Sequence, residues 1–295
     1  MFLNKFAEMI FTLLLAFGGE KYAGNSPYSF ELVPACGTDK TAPACELTPQ
    51  CNIKAWRCAP PRWSNARGGW VIAESKASAR ARYRKIANSI ARVSFLHARC
   101  RDSYGTVLED CTPSGWPEGP RSLAMVAATT ALWESGLRED IMFGHAPMGR
   151  GAMGETCMMQ IMPNQIRQFA KWIPAEELKV YDKLPFGRER SEWDEKWAKR
   201  MLGDSDAALD ACFDVGMRAL SRARWSCASR KGGSWPYKMW SMYGTGSKCS
   251  SYGIHDDFAA KRQGTYYRMV GYRPAAQNPP SETVPERKPE KTAHR

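Results

Sequence analysis

Glu134 and Ser135 close an alanine-rich apolar run, and a glycine-rich loop separates them from Cys157, Met158, Met159, Gln160, Ile161, Met162 and Pro163. Steps of three and four back from Glu134 meet Ala131, Thr130, Ala127 and Leu123, a small-residue face that can pack closely. Gly136 follows Ser135 as a helix stop, so the carboxyl stands at the C-terminal end of a helix, where the macrodipole disfavours an anion. An acid held there beside an apolar face tends toward its neutral form, and a neutral acid can protonate a leaving oxygen. Gln160 interrupts an otherwise apolar run, and a buried amide must find partners, either in its own loop or on a substrate or the Glu134 region. Met158 and Ile161 read as core, whereas Met159 edges the cleft. Tyr243 precedes Gly244 and Gly246, glycines that permit a tight turn presenting the ring.

Together, Glu134-Ser135, the run from Cys157 to Pro163, and Met242-Tyr243-Gly244-Thr245-Gly246 resemble the lytic transglycosylases of the lysozyme-like superfamily. That family's pattern is a catalytic Glu-Ser, then Gly-Leu-Met-Gln-Ile-x-Pro, then Ala-x-Tyr-Asn-x-Gly. Cys157 stands here where the family has Gly, and Gly244 where it has Asn; the match covers residues 121–246. The resemblance implies a mainly α, lysozyme-like helical domain that cleaves peptidoglycan between N-acetylmuramic acid and N-acetylglucosamine with 1,6-anhydro products and no cofactor. It implies Glu134 as the catalytic acid and base, with Ser135, Met159, Gln160 and Tyr243 binding substrate. A hydrolytic lysozyme is the runner-up, with Glu155 or Asp140 positioning water. A cysteine amidase or peptidase would use Cys157 with His145 or His255, and a non-catalytic wall-binding protein is conceivable from the change at Gly244.

The chain of 295 residues suits one main domain with appendages, and its formal net charge of +12 suits a polyanionic partner such as nucleic acid, anionic lipid or cell wall. The basic residues are dispersed, so charge alone does not choose; with the motifs, the expected partners are peptidoglycan glycan strands and the cell envelope, not nucleic acid, for a monomer. Residues 1–18 read as a secretory signal, with Lys5 early, a short apolar stretch and Ala16-Phe17-Gly18 as a small-x-small site. Ten cysteines behind it predict disulfides and a periplasmic or secreted protein. The spacings of Cys36, Cys45, Cys51 and Cys58 lack the pairing that structural zinc prefers, and no metal site is expected.

Several elements must position these groups. Residues 19–63 read as an irregular Cys-rich, disulfide-stapled extension, 64–272 as the catalytic domain, and 273–295 as a disordered Pro-rich charged tail. Residues 77–98 carry a helical stripe through Tyr83, Ile86, Ile90 and Val93, with Arg80, Arg84, Lys85 and Arg92 on a solvated face. Cys100 and Cys111 are plausible partners. Residues 120–135 form the first core helix, 138–156 a loop, and 207–223 a helix with Cys212 inward. A further helix begins at Ser191, with Trp193 and Trp197 as core rather than sugar platforms.

Overall fold

The computed structural model describes residues 2–18, 28–32, 62–64, 69–74, 76–97, 116, 118–144, 154–231, 233–246, 248–249 and 254–271, and it is mainly helical. In chain order the elements are α1 (Phe2–Gly18), β1 (Tyr28–Leu32), β2 (Arg62–Ser64), β3 (Gly69–Glu74), α2 (Lys76–His97), α3 (Gly119–Ser135) and α4 (Glu139–Phe143). They continue with α5 (Pro163–Phe169), α6 (Ala175–Lys183), α7 (Arg188–Ala198), a 3-10 turn (Lys199–Met201), α8 (Asp206–Ser226), α9 (Trp235–Thr245) and α10 (Ile254–Met269). The Cys100–Cys111 pairing, the cysteines of the extension and the 273–295 tail lie outside the described residues.

The core is built around α3. Pro120 sits in its first turn, its alanines leave room for neighbours, and nearly every residue from Leu123 to Leu132 is buried, as expected of a helix apolar all round. Helices α2, α8 and α10 pack against it. Polar side chains tie α9 and α10 to it: Trp240 Nε1 on α9 donates to Thr130 Oγ1 at 3.0 Å, Trp133 Nε1 to Thr265 Oγ1 on α10 at 3.0 Å, and Ser122 Oγ pairs with Tyr266 OH on α10 at 2.8 Å. Each satisfies a group whose burial would otherwise be costly.

The basic face of α2 is not simply solvated. Asp206, Asp210 and Asp214 recur every fourth residue on α8 and so share one face. Arg92 Nη2 reaches Asp210 at 2.9 Å and Asp206 at 3.2 Å, Ser89 Oγ donates to Asp210 at 2.6 Å, and His97 Nε2 lies 2.8 Å from Asp214 Oδ1. Lys85 Nζ meets Asp204 at 3.0 Å. Arg92 is therefore held to α8 and Lys85 to the turn before it, while Arg80 and Arg84 stay exposed as expected.

Helix α1 packs on α2 and α3 with Ile10 and Leu14 wholly buried, and the rings of Phe2 and Phe6 meet Phe95 edge-on at 5.6 and 5.2 Å. Among the described residues, no helix is long and apolar enough to cross a membrane.

Three expectations about elements need correcting. Strand β1 falls inside the extension expected to be irregular and β2 crosses its end: β1 runs parallel to β3, with Phe30 opposite Ile72, and β2 antiparallel, with Trp63 opposite Trp70. The alternation in Tyr28-Ser-Phe-Glu-Leu32 is the strand period. Helix α7 begins at Arg188 rather than Ser191, because Gly187 at φ 111° supplies the N-cap and Ser191 Oγ donates back to the Gly187 carbonyl at 3.2 Å. The 138–156 stretch contains α4, a single short turn of helix. Trp193 and Trp197 are buried as expected, their rings 5.7 Å apart.

Two disulfides lie among the described residues, Cys157–Cys212 and Cys227–Cys249. They suit an oxidising, non-cytoplasmic environment.

Candidate active site

The end of α3 is fixed by a turn that the chain builds from Ser135. Gly136 at φ 58° is the C-cap, and its N–H returns to the Leu132 carbonyl at 3.0 Å. Leu137 is also left-handed, at φ 56°, an uncommon state for a branched residue. Two bonds hold it there: the Leu137 N–H donates to Ser135 Oγ at 3.1 Å, and buried Arg82 donates through Nε to the Leu137 carbonyl at 2.6 Å. Ser135 Oγ in turn donates to the Ala131 carbonyl at 2.6 Å and lies 3.2 Å from Met158 Sδ. Ser135 is fully buried, so the expectation that it binds substrate is corrected: it builds the turn that aims its neighbour.

The second motif is a four-residue loop closed by a bridge. Thr156 and Ile161 exchange backbone hydrogen bonds of 2.8 and 2.9 Å, Cys157 and Gln160 take φ of 59° and 49°, and Cys157 is tied to α8 through Cys212. Gln160 Nε2 donates to the Cys157 carbonyl at 3.0 Å. That bond satisfies part of the amide inside its own loop, while the residue lines the cavity. The expectation that Met159 edges the cleft is corrected as well. It is fully buried against Gly216, where an added Cβ would stand 2.6 Å from its Cγ and Cε.

The third motif joins the second directly. Tyr243 OH donates to the Met159 carbonyl at 2.6 Å. Burial and the Glu134 carboxyl hold the Tyr243 phenol well above its ordinary value despite Arg262, so it remains a donor. Tyr243 and Gly244 belong to the last turn of α9, not to a free turn; the left-handed residue is Gly246 at φ 71°.

Glu134 therefore sits where all three motifs meet, at the wall of a cavity of about 810 Å³. Its side chain is 18% exposed, and its Oε1 lies 2.7 Å from Arg262 Nη2 on α10. Burial drives its carboxyl upward, Arg262 pulls it down and Glu155 pushes it up, for a net rise above the ordinary carboxylate range. Around it, Gln160, Gln165 and Gln168 offer amides, Trp133, Phe169 and Tyr243 offer ring surface, and Glu155 and Arg222 add charge. Such a lining suits a polymer rich in hydroxyl and amide groups and apolar ring faces.

Sequence reasoning placed Glu134, Gln160 and Tyr243 in one site, and they are together. It missed Arg262, Gly216, Gln165, Gln168 and Arg222. Gln165 and Gln168 were findable, since Pro163 at a helix start puts them three apart on one face. The thiol of Cys157 is consumed in its disulfide, so it supplies no nucleophile; His145 lies outside the described residues. Among the described residues, no group of three or more His, Cys, Asp or Glu could hold a metal ion. No protein-family model, curated protein or solved structure matches the chain.

Proposed function

We propose that the protein is a peptidoglycan lytic transglycosylase with a lysozyme-like helical domain, acting on glycan strands in the periplasm or outside the cell, as a monomer without cofactor. The observation that carries this reading is a single largely buried glutamate with a raised pKa, facing a large cavity of mixed amide and aromatic character. Neutral Glu134 donates its proton to the glycosidic oxygen as the C1–O bond breaks, and the departing sugar leaves with a free hydroxyl. The substrate's acetamido oxygen supports the positive charge at C1, as the resembled family implies. The C6 hydroxyl of the same sugar then attacks C1 and returns its proton to Glu134, which restores the acid and consumes no water. Gln160 and Tyr243 hold substrate and carboxyl in register.

One observation favours a second reading, a hydrolytic muramidase. Glu155 lines the same cavity and is close enough to raise the Glu134 pKa, so it has the position from which a second carboxylate directs water.

Digestion of purified sacculi with mass analysis of the released muropeptides separates the two. The expected products are one water lighter than those of a lysozyme. Glu134→Gln, which keeps shape but carries no titrating proton, is expected to abolish release with folding nearly intact, while Glu155→Gln costs far less. Full activity in Glu134→Gln would remove the assignment. Hydrated products that vanish with Glu155→Gln would establish the muramidase.

A further inference from the structure

Helix α10 places one cation against the candidate acid. Arg262 is buried at 7% exposure, its Nη2 lies 2.7 Å from Glu134 Oε1, and among the described residues its Nε has no hydrogen-bond partner. A buried guanidinium is expensive to keep without partners, and the Glu134 carboxyl oxygen is an acceptor that meets it. Gly244, on the facing turn of α9, borders the guanidinium: a Cβ there would stand 3.7 Å from Arg262 Nη1, an ordinary contact distance.

We infer that Arg262 is a positioning residue for the Glu134 proton transfers. The inference rests on the proposed glycosidic cleavage. When Glu134 gives its proton to the leaving oxygen, the new carboxylate is received by a guanidinium already in hydrogen-bond contact, and no reorganisation is needed. When the C6 hydroxyl returns a proton, the pair relaxes to the neutral acid beside the cation. The same contact fixes the carboxyl's rotamer toward the cavity, which a helix-terminal glutamate would otherwise lack.

The groups that face Glu134 set the sign of the pH effect. Arg262 on α10 lowers its pKa, Glu155 raises it, and protonated Tyr243 on α9 carries no charge at neutral pH; Arg222 on α8 lines the same cavity. Removal of Arg262 leaves the two influences that raise it. Glu134 then keeps its proton to higher pH but is a weaker acid whose carboxylate is no longer received.

The test uses the full chain and sacculi. Arg262→Met is expected to lower kcat by about 10- to 100-fold, the loss of one charge-assisted hydrogen bond. KM should stay within about twofold, and the alkaline limb of the kcat profile should move to higher pH. Arg262→Lys keeps the charge without the planar fork and should fall between. Titration of the Glu134 carboxyl carbon by NMR, identified by its absence in Glu134→Gln, should show an upward shift in Arg262→Met and needs no substrate. An unmoved titration and pH limb in soluble Arg262→Met would overturn the inference, and if that variant does not fold, unmoved values in Arg262→Lys would do so. Wild-type protein that releases no muropeptides would remove the proposed function instead, while the titration still decides whether Arg262 sets the Glu134 proton affinity.

Discussion

Gly216 is a residue whose identity matters because of what lies against it. Any Cβ at this point of α8 enters the Met159 side chain, whose own carbonyl accepts from Tyr243 and whose neighbour Gln160 lines the cavity. Gly216→Ala should gain helix propensity yet lose more to overpacking, a net destabilisation of roughly 1 to 3 kcal/mol. Thermal melts give the stability, and muropeptide release should fall with it as the Gln160 turn is pushed off α8. Tyr243→Phe tests the other side of the same contact. It removes one donor from the Met159 carbonyl and should cost about 1 kcal/mol in denaturant melts, with a drop in kcat larger than any change in KM.

At the level of elements, the acid helix α3 was legible because its signals are local: Pro120 to start, Gly136 to stop, and small apolar residues between. The helix α10 that carries Arg262 was not, because its mean polarity hides a buried stripe. Met269 and Tyr266 belong to that stripe, and Arg262 stands four residues before Tyr266 on the same face. A cation on a buried stripe is the signal that would have pointed to it. The three motifs were legible as candidates, but the contacts that join them run through backbone carbonyls and left-handed turns, which residue types do not encode. The element α7 carries a prediction of its own. Burial pushes the Asp194 carboxyl from 3.8 up to about 6, and its Oδ1 has no hydrogen-bond partner among the described residues. A raised folded-state pKa means that folding takes up a proton, so this contribution is fully present below about pH 4 and is lost as pH rises through about 6. Asp194→Asn should therefore raise the melting temperature above pH 7, by on the order of 1 kcal/mol of stability, and make no difference at pH 3.5. A melting-temperature series across pH checks both arms.

For the molecule as a whole, the contacts that assemble the site are spread along the chain, from the Arg82 support on α2 to the Arg262 clamp on α10. The disulfide Cys157–Cys212 closes a span of 55 residues. In the chain-entropy view a loop of that length is worth about 4 kcal/mol, and Cys227–Cys249 somewhat less. Reduction of the native protein should lower its melting temperature clearly, and Cys157→Ser with Cys212→Ser should cost more than Cys227→Ser with Cys249→Ser by differential scanning calorimetry. The first bridge also has a consequence in time. It is anchored at Cys157, one end of the left-handed turn that carries Gln160, so a chain with free thiols has lost the anchor of that turn. Under the proposed wall cleavage, a chain whose thiols are still reduced is expected to release muropeptides more slowly than the oxidised chain, which an assay of the two forms side by side checks.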